Sequence, residues 1–427
     1  MELERSLGAS EHLLWQLARA RPVNVVLCAS LTGPLNAQRL RAALDFVQRR
    51  HALLSVCIRT DTKGRPRFVS EGVAPIALRW LPRQGETHWA REAEEELILP
   101  FAPGEGPLLR ATLLQGTGAH EVLLTFDHAI GDGMSGVLLV RDLLRELAWP
   151  GTGQVLPRPA ACEDLLPPGV SRRERTPLSH PLDGVPSVAA AAGKTLRLLT
   201  WGLSEEDTTR LVAMSRHERT TVHGSLCAAF LLALAEEADS REEVSLRVMS
   251  PVNLREYLTP PGTEAFAPCF SRHLTRHRLQ PTSHFWEVAR DVKQQLQRDT
   301  EGHGKFSHLL EVKDFLATAP DAPALRAFVR DAMGSELTVT NLGRWSHEEE
   351  YGSLRLRRLH VTVSGLAPLI VGVTTVGGRL GVCSRFLEST LPEPRARSIQ
   401  QSAWARLHSA LHFTSARRNL YFVGEGE

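Results

Sequence analysis

One short stretch in the first third of the chain carries the residue types of an acid–base site. Residues 126–133 read Phe-Asp-His-Ala-Ile-Gly-Asp-Gly, so His128 is followed four positions later by Asp132 and then by Gly133. Imidazole has an ordinary pKa close to neutrality, which makes histidine a common general base. The pattern His-x-x-x-Asp-Gly therefore predicts that His128 accepts a proton during a reaction. The competing interpretation is a hydrogen-bonded core histidine beside an ordinary Asp-Gly turn.

The residues on either side predict the elements that hold this motif. Val122–Phe126 is an apolar run rich in leucine and β-branched residues, which is typical of a buried strand. Apolar residues then recur at helical spacing through Ser135–Ala148, namely Val137, Leu138, Leu144 and Leu147. His128 is therefore expected to leave a strand and face the N-terminal end of a helix. The helix dipole there disfavours added positive charge, which keeps the imidazole neutral.

The composition of the chain is that of an ordinary soluble protein. It has 427 residues, of which 42% are hydrophobic and 23% are charged, and its formal net charge is +2. This length is large for one hydrophobic core, so two domains of roughly 200 residues each are expected. Acidic and basic residues are interspersed, and there is no basic-aromatic stripe, which argues against nucleic acid as a partner.

Cysteine usage argues against a metal site. The six cysteines are scattered, with no Cys-x-x-Cys pair and no His/Cys cluster at metal-ligand spacing. We expect reduced, mostly buried thiols, no metal and no tightly bound cofactor.

Met1–Arg5 does not begin a secretion signal, and no apolar run approaches the ~20 residues that a membrane span requires. The expectation is a cytoplasmic protein without a membrane span.

Proline marks a break between two halves. Residues 151–186 are rich in prolines that interrupt regular structure, among them those at positions 157, 159, 167, 168, 177 and 181, and contain the charged cluster Arg172–Arg175. We predict an N-terminal subdomain at residues 1–150, a linker at 151–186 and a C-terminal subdomain at 187–427. Both halves contain predicted helices and strands without strict alternation, which favours a mixed α/β (α+β) fold.

Four separated stretches together give the chain a resemblance to a known superfamily. They are Leu31–His51 with its Arg-Arg-His ending, His128–Gly133, Pro251–Arg255 and Thr340–Gly343. Their order resembles the chloramphenicol-acetyltransferase-like superfamily in its two-domain branch of condensation domains, alcohol acetyltransferases and phthiocerol-type acyltransferases. The resemblance implies two similar subdomains in a V-shaped pseudo-dimer, with the histidine at their junction. It also implies a monomer, because one chain supplies the site that trimeric relatives build between subunits.

Two departures from the superfamily narrow the resemblance. Condensation domains usually carry two adjacent histidines, whereas Asp127 precedes His128 in this chain. The plant-type Asp-Phe-Gly-Trp-Gly signature is also missing, and Asn341–Trp345 takes the comparable late position. Both departures favour the alcohol-acyltransferase and phthiocerol-type branch over peptide-bond formation.

The resemblance also suggests roles for residues beside the histidine. It implies that Asp132 turns away from the substrate channel toward an arginine, and Arg255 is the candidate partner; a surface aspartate is the alternative. A buried pair of this kind, with Gly133 in the same turn, would orient the imidazole. The oxyanion of an intermediate needs a donor, for which Asn341 near Gly343, or amides of the His128 turn, are candidates. Asn341 is alternatively only a turn residue.

These residues predict an acyltransferase. We expect an acyl group to move from a CoA or carrier-protein phosphopantetheine thioester to the hydroxyl of a small-molecule acceptor, such as a polyketide or other secondary metabolite. No Gly-x-Ser-x-Gly motif is present, so direct attack without an acyl-enzyme is expected. Arginines around the linker are candidates for contacting the phosphate of the donor. The alternatives are an amide-forming condensation-type enzyme and a non-catalytic carrier-protein docking module.

Overall fold

The computed structural model describes residues 4–171, 195–238, 243–280 and 282–412. Within these ranges the strands are β1 (Glu4–Ser6), β2 (Asn24–Thr32), β3 (Cys57–Thr60), β4 (Pro66–Val69), β5 (Ala77–Pro82), β6 (Leu109–Gln115), β7 (Ala119–Asp127), β8 (Leu196–Gly202), β9 (Val244–Asn253), β10 (Phe270–Leu279), β11 (Leu337–Arg344), β12 (Glu350–Tyr351), β13 (Leu354–Val363), β14 (Leu369–Val376) and β15 (Arg379–Leu387). The helices are α1 (Ala9–Ala20), α2 (Ala37–Arg50), α3 (His88–Ile98), α4 (Gly133–Ala148), α5 (Glu205–His217), α6 (Val222–Glu237), α7 (Phe285–Thr300), α8 (Ser307–Ala317), α9 (Ala322–Met333) and α10 (Glu393–His412). No helix among these residues is both long and apolar enough to cross a bilayer.

Two six-stranded sheets form the framework. The first has the strand order β12-β13-β2-β7-β6-β5, and the second has the order β10-β9-β11-β14-β15-β8. Most neighbouring strands are antiparallel, but β5 runs parallel to β6, and β11 runs parallel to both β9 and β14. This arrangement confirms the mixed α/β class with two subdomains that the sequence predicts.

The central strands of the first sheet determine where the His128 turn lies. Strands β2 and β7 are rich in apolar residues, and almost all their residues are buried, as expected for strands covered on both faces. They pair antiparallel from Asn24 opposite Asp127 to Thr32 opposite Ala119. The His128 amide then donates to the carbonyl of Val23 at 2.9 Å, so the turn remains anchored to the residue that precedes β2.

The first sheet is completed by the C-terminal half of the chain. Strand β13 pairs antiparallel with β2, from Arg355 opposite Thr32 to Val363 opposite Val25. After residues 364–368 the chain enters β14 of the second sheet. The boundaries at 150 and 187 stay a prediction, and the sheets themselves do not divide there. Residues 172–186 of the predicted linker, including Arg172–Arg175, lie outside the described residues.

Several elements follow directly from local sequence patterns. Ser204 caps α5 by accepting a hydrogen bond from the Asp207 amide, as the capping motif predicts. Gly377 and Gly378 both have positive φ and join β14 to β15 through a two-residue hairpin turn. Helix α6 is apolar almost all round because it packs against both α7 and α10.

Strand β10 is not indicated by its sequence pattern. It reads Phe-Ser-Arg-His-Leu-Thr-Arg-His-Arg-Leu, and a polar run of this kind would ordinarily predict a solvent-exposed segment. The structure buries most of it because its polar side chains find partners, such as Asp299 for His273 and Asp291 for His277. Helices α8 and α9 follow in the same part of the chain.

The two sheets approach each other closely where β13 meets β14. A Cβ atom added to Gly372 of β14 would lie 2.0 Å from the carbonyl oxygen of Val361 on β13. Nearby, the Thr374 hydroxyl donates to the carbonyl of Leu359. Contact between backbones at this point leaves no room for a side chain.

We therefore expect Gly372→Ala to lower the stability of the protein. The methyl group forces the two backbones apart, and overpacking of this kind costs about 1–3 kcal/mol or more. Gly381→Ala on the adjacent β15 is the matched control, because the nearest atoms to its added Cβ are 3.9 Å away. Urea unfolding of both variants measures the difference. Equal stability of the two variants would contradict this account of the junction.

Candidate active site

The His128 turn is held by hydrogen bonds on both sides of the histidine. Strand β7 ends at Asp127 and helix α4 begins at Gly133. The Asp127 carboxylate accepts a hydrogen bond from the Ala129 amide at 2.8 Å. Burial raises the pKa of Asp127 to about 6, although this hydrogen bond acts in the opposite direction. The backbone around His128 is therefore fixed independently of any substrate.

The hydrogen bond of the imidazole selects its tautomer. Nδ1 of His128 lies 2.8 Å from the carbonyl oxygen of Gly131. Because a carbonyl oxygen only accepts, Nδ1 must be the protonated nitrogen. In the neutral ring Nε2 then carries a free lone pair. The ring stacks on Phe270, with centroids 5.3 Å apart and an interplanar angle of 16°.

The surroundings keep this imidazole neutral. Burial lowers the pKa of His128, and the positive charge of Arg272 lowers it further. The hydrogen bond to Gly131 and the negative charge of Asp132 oppose this effect without reversing it. The pKa thus lies below the ordinary histidine value of 6.5. At neutral pH His128 is a base with its lone pair on Nε2.

Asp132 and Arg255 form a buried bidentate ion pair. Arg255 Nη1 donates to Oδ2 of Asp132 at 2.9 Å, and Nη2 donates to Oδ1 at 3.1 Å. Both residues are almost fully buried. Arg255 also donates to the Ser135 hydroxyl at 2.9 Å and to the Ala267 carbonyl at 2.7 Å.

The Asp132 carboxylate has further donors from both halves of the chain. It caps α4 by accepting from the Ser135 amide at 2.7 Å, and it accepts from the Cys269 amide at 2.8 Å. Burial alone would raise the pKa of Asp132, but the charge of Arg255 and these hydrogen bonds outweigh it and lower the pKa. Asp132 therefore stays ionised, and both of its oxygens accept hydrogen bonds from the protein.

Two glycines of the motif are required by close packing. A Cβ on Gly133 would lie 2.7 Å from Cδ2 of Leu342, which belongs to β11. A Cβ on Gly131 would lie 2.6 Å from the ring of Phe266. The turn packs against the C-terminal half at both glycines, and a side chain at either position would force Phe266 or Leu342 to move.

A cavity of about 350 Å³ opens beside His128, which is within the range of small-molecule sites. Residues of α1, β10, β11, β13 and β14 line it together with the His128 turn. Its wall is mainly apolar, with contributions from Leu14, Leu17, Val23, Val25, Met134, Met249, Phe270, Met333, Leu342, Val361 and Ile370. His128 therefore lines a space between the two sheets, at the junction that the resemblance implies, and its role as a base stays a prediction.

Asn341 and Gly343 lie in the wall of the same cavity. Strand β11 is irregular between Asn341 and Arg344, and Gly343 adopts a φ of +77° there. The Gly343 amide donates to the carboxamide oxygen of Asn341 at 2.9 Å. This bond turns the oxygen of Asn341 back toward its own loop. The role of Asn341 as an oxyanion donor stays a prediction.

The Arg-Arg-His ending of α2 forms a cluster that supports α4. Arg50 Nε lies 2.7 Å and His51 Nε2 lies 3.0 Å from Asp142 of α4. Arg141 also contacts the Asp142 carboxylate, at 2.7 Å. The cluster joins the end of α2 to the helix that begins at Asp132.

Two residues of the site, Phe270 and Arg272, were not predicted from the sequence. Both lie on β10 and line the cavity, and the Phe270 ring contacts the imidazole. The one available signal was their separation by two positions, which places both side chains on one face of a strand. That signal was hidden because β10 itself was not recognised.

His273 makes the hydrogen bonds of a Ser-His-Asp catalytic triad, but it is not exposed to solvent. Ser271 Oγ lies 2.7 Å from Nε2 of His273, whose Nδ1 contacts Asp299. Ser271 and His273 are both completely buried, on the face of β10 opposite Phe270. A substrate cannot reach this serine in the folded protein, so the arrangement gives no support to an acyl-enzyme.

Comparisons with known proteins place the chain in an acyltransferase and condensation-type family. Residues 17–158 match the family model described as "Condensation domain". Residues 193–382 match the model described as "Phthiocerol/phthiodiolone dimycocerosyl transferase C-terminus". The first match thus lies in the N-terminal half of the chain, and the second lies mostly in the C-terminal half.

The known proteins that match this chain include a peptide synthetase and an acyltransferase. Phosphinothricin tripeptide synthetase PhsC of Streptomyces viridochromogenes is 36% identical over 164 residues, covering 35% of this chain and 15% of the synthetase. The phthiocerol/phthiodiolone dimycocerosyl transferase of Mycobacterium bovis is 24% identical over 353 residues, covering 77% of this chain and 81% of the transferase. This chain therefore spans a small fraction, 15% or less, of the synthetases it matches.

Solved structures have the same architecture. The trichothecene 15-O-acetyltransferase of Fusarium sporotrichioides superposes with a TM-score of 0.73 at 14% identity, over 96% of this chain and 95% of that chain. At this identity the likeness shows the fold alone. Together with the two family models, it confirms the superfamily that the four sequence stretches predict.

We expect Asp132→Ala to lower the free energy of unfolding by roughly 3–5 kcal/mol, because it leaves the Arg255 charge buried without its partner. Glu206→Ala is the control, since it removes an exposed ion pair with Arg210 and should change stability by less than about 0.5 kcal/mol. Urea unfolding followed by circular dichroism measures both. The pair would not have the proposed structural role if Asp132→Ala unfolded at the same urea concentration as wild type.

Proposed function

We propose that this chain, which belongs to the chloramphenicol-acetyltransferase-like superfamily, transfers an acyl group from a thioester to a hydroxyl group of a small molecule. The observation that carries the proposal is the state of His128. Its Nδ1 is committed to the Gly131 carbonyl, and its pKa is lowered by burial. Nε2 is therefore left as a base beside a cavity bounded by both sheets.

The proposed reaction is a direct attack. The acceptor hydroxyl donates a hydrogen bond to Nε2 of His128, and its proton moves to Nε2 as the oxygen attacks the thioester carbonyl. The resulting tetrahedral intermediate carries an oxyanion. When it collapses, the carbon–sulfur bond breaks, and the departing thiolate takes the proton back from Nε2. The products are the ester and a free thiol, and His128 returns to its neutral form.

Other residues of the site position the reacting groups. In the proposal, Asp132 and Arg255 hold the start of α4 and with it the carbonyl of Gly131 that orients the imidazole. The amide nitrogen of Asn341 is a candidate donor to the oxyanion, since its carboxamide oxygen is already bonded to Gly343. Gly343 supports this geometry through its positive φ.

The donor and acceptor classes are also part of the proposal. We infer an acyl-CoA or acyl-carrier-protein thioester as donor, a polyketide or other secondary metabolite as acceptor, and no tightly bound cofactor. Two of the similar proteins, a dimycocerosyl transferase and a trichothecene 15-O-acetyltransferase, support ester formation. A monomer is proposed because strands from both halves of one chain enclose the site.

Amide formation is the second candidate function. The condensation-domain match over residues 17–158 and the peptide-synthetase relative favour it. Asp127 in place of a second histidine favours the ester-forming branch instead. A non-catalytic docking module is the third candidate, and a neutral, positioned His128 in an open cavity argues against it.

The experiment combines a base variant with an acceptor screen. Acyl-CoA thioesters are mixed with matched alcohols and amines, and free thiol and products are measured by absorbance and mass spectrometry.

We expect His128→Ala to reduce transfer by ~10²–10⁴-fold because the general base is lost. His217→Ala, at an exposed position, is the control and should retain wild-type turnover. A folded His128→Ala protein with near wild-type turnover would eliminate the mechanism, and turnover with amines only would favour the second function.

The lowered pKa of His128 predicts the pH dependence of this transfer. Only the neutral imidazole accepts a proton, so kcat/KM falls as pH drops through the pKa. Because that pKa lies below 6.5, the midpoint of the acid limb should also lie below pH 6.5. Arg272→Met removes a charge that lowers the pKa, so its midpoint should move to higher pH. A wild-type midpoint above pH 7 would contradict the assignment of the base.

A further inference from the structure

The cavity beside His128 contains more positive than negative charge. Its ionisable lining residues are Arg21, His128, Asp132 and Arg272. Asp132 is committed to Arg255, and His128 is neutral near pH 7. Arg21 donates to the carbonyl of Gly365, which carries no charge. The lining described here therefore has no free carboxylate to balance Arg272.

Arg272 lacks the partners that a buried guanidinium usually has. It is only 6% exposed, and its Nη1 contacts the sulfur of Met333 at 3.0 Å, which is a weak acceptor. Its Nε is buried with no hydrogen-bond partner among the described residues. Glu311 of α8 is the acid that influences it, and this residue also lies 3.9 Å from His308.

The location of Arg272 connects this charge to the reacting centre. Phe270 and Arg272 project from the same face of β10 into the cavity. The Phe270 ring stacks on His128, and the Arg272 guanidinium lies 5.8 Å from the centre of that ring. Burial lowers the pKa of Arg272 to about 10, so it remains charged at neutral pH. Arg272 thus places a cation in the cavity wall near His128, and among the described residues Glu311 acts on it only through its charge, without an ion pair.

We propose that the substrate of this site carries a carboxylate group that binds Arg272. A guanidinium has the planar geometry to bind a carboxylate through two hydrogen bonds, and a bound carboxylate would supply an ion-pair partner for a charge that is paired only weakly. The inference rests on the proposed function and specifies its substrate class. The phosphates of CoA or a carrier protein do not fit this position, because the pantetheine chain separates them from the thioester that reacts at His128.

The carboxylate has two possible sources, the acceptor or the acyl group. Two pairs of probes separate them: 10-hydroxydecanoate with its methyl ester, and succinyl-CoA with butyryl-CoA. Each pair differs in the carboxylate and is similar in length. Calorimetry measures binding of one probe at a time, so that no transfer takes place during the measurement.

We expect wild type to bind the charged member of at least one pair about tenfold or more tightly than the neutral member, because hydrogen bonds to charged groups are strong. Arg272→Met should abolish this preference. Arg344→Met removes the same charge from an exposed residue outside the cavity lining and should retain the preference. If Arg272→Met does not fold, Arg272→Lys replaces it and should reduce the preference, since lysine lacks the two-point geometry.

The outcomes are distinguishable from one another. A preference in the first pair assigns the carboxylate to the acceptor, and a preference in the second assigns it to the acyl group. Equal binding within both pairs by wild type would overturn the inference, as would an unchanged preference in the Arg272 variant. Absence of acyl transfer despite a preference that depends on Arg272 would count against the proposed function only.

Discussion

The buried ion pair between Asp132 and Arg255 is the contact on which the geometry of the site depends. Asp132 is the first residue before α4, Arg255 follows β9, and Cys269, which donates to the same carboxylate, precedes β10. Three elements from two halves of the chain therefore meet at one side chain. Two charges can be buried there because the carboxylate accepts hydrogen bonds from two backbone amides, a hydroxyl and the guanidinium.

The position of the base follows from this contact. The ion pair holds the start of α4, the turn before it presents the Gly131 carbonyl to Nδ1 of His128, and Nε2 is left unprotonated. Strand β10, beginning just after Cys269, supplies Phe270 against the imidazole and Arg272 to the cavity. The ion pair between Asp132 and Arg255 thereby connects the packing of both halves to the protonation state of the His128 imidazole. It also connects that packing to the charge of the cavity beside His128.

The local parts of this arrangement were predictable from residue patterns, and the nonlocal parts were predictable only where the family resemblance implied them. The strand, turn and helix around His128 follow from apolar periodicity, and the Gly377-Gly378 hairpin follows from turn chemistry. Arg255 was identified as the partner of Asp132 through the family resemblance. In contrast, no local pattern indicates that β13 completes the first sheet, because strand pairing across more than 300 residues leaves no periodic signal. Arg272 was missed because β10 reads as polar, and its burial depends on partners elsewhere in the chain.

The central claim is that His128 is a neutral base at physiological pH, with its proton on Nδ1. Nitrogen-15 NMR of protein labelled in its histidine rings tests this directly, with the His128→Gln variant used to assign the signals. The account predicts that His128 has a protonated Nδ1 and an unprotonated Nε2 at pH 7, and that it gains its second proton only below pH 6.5. A proton on Nε2 of the neutral ring, or a doubly protonated ring at pH 7, would contradict it.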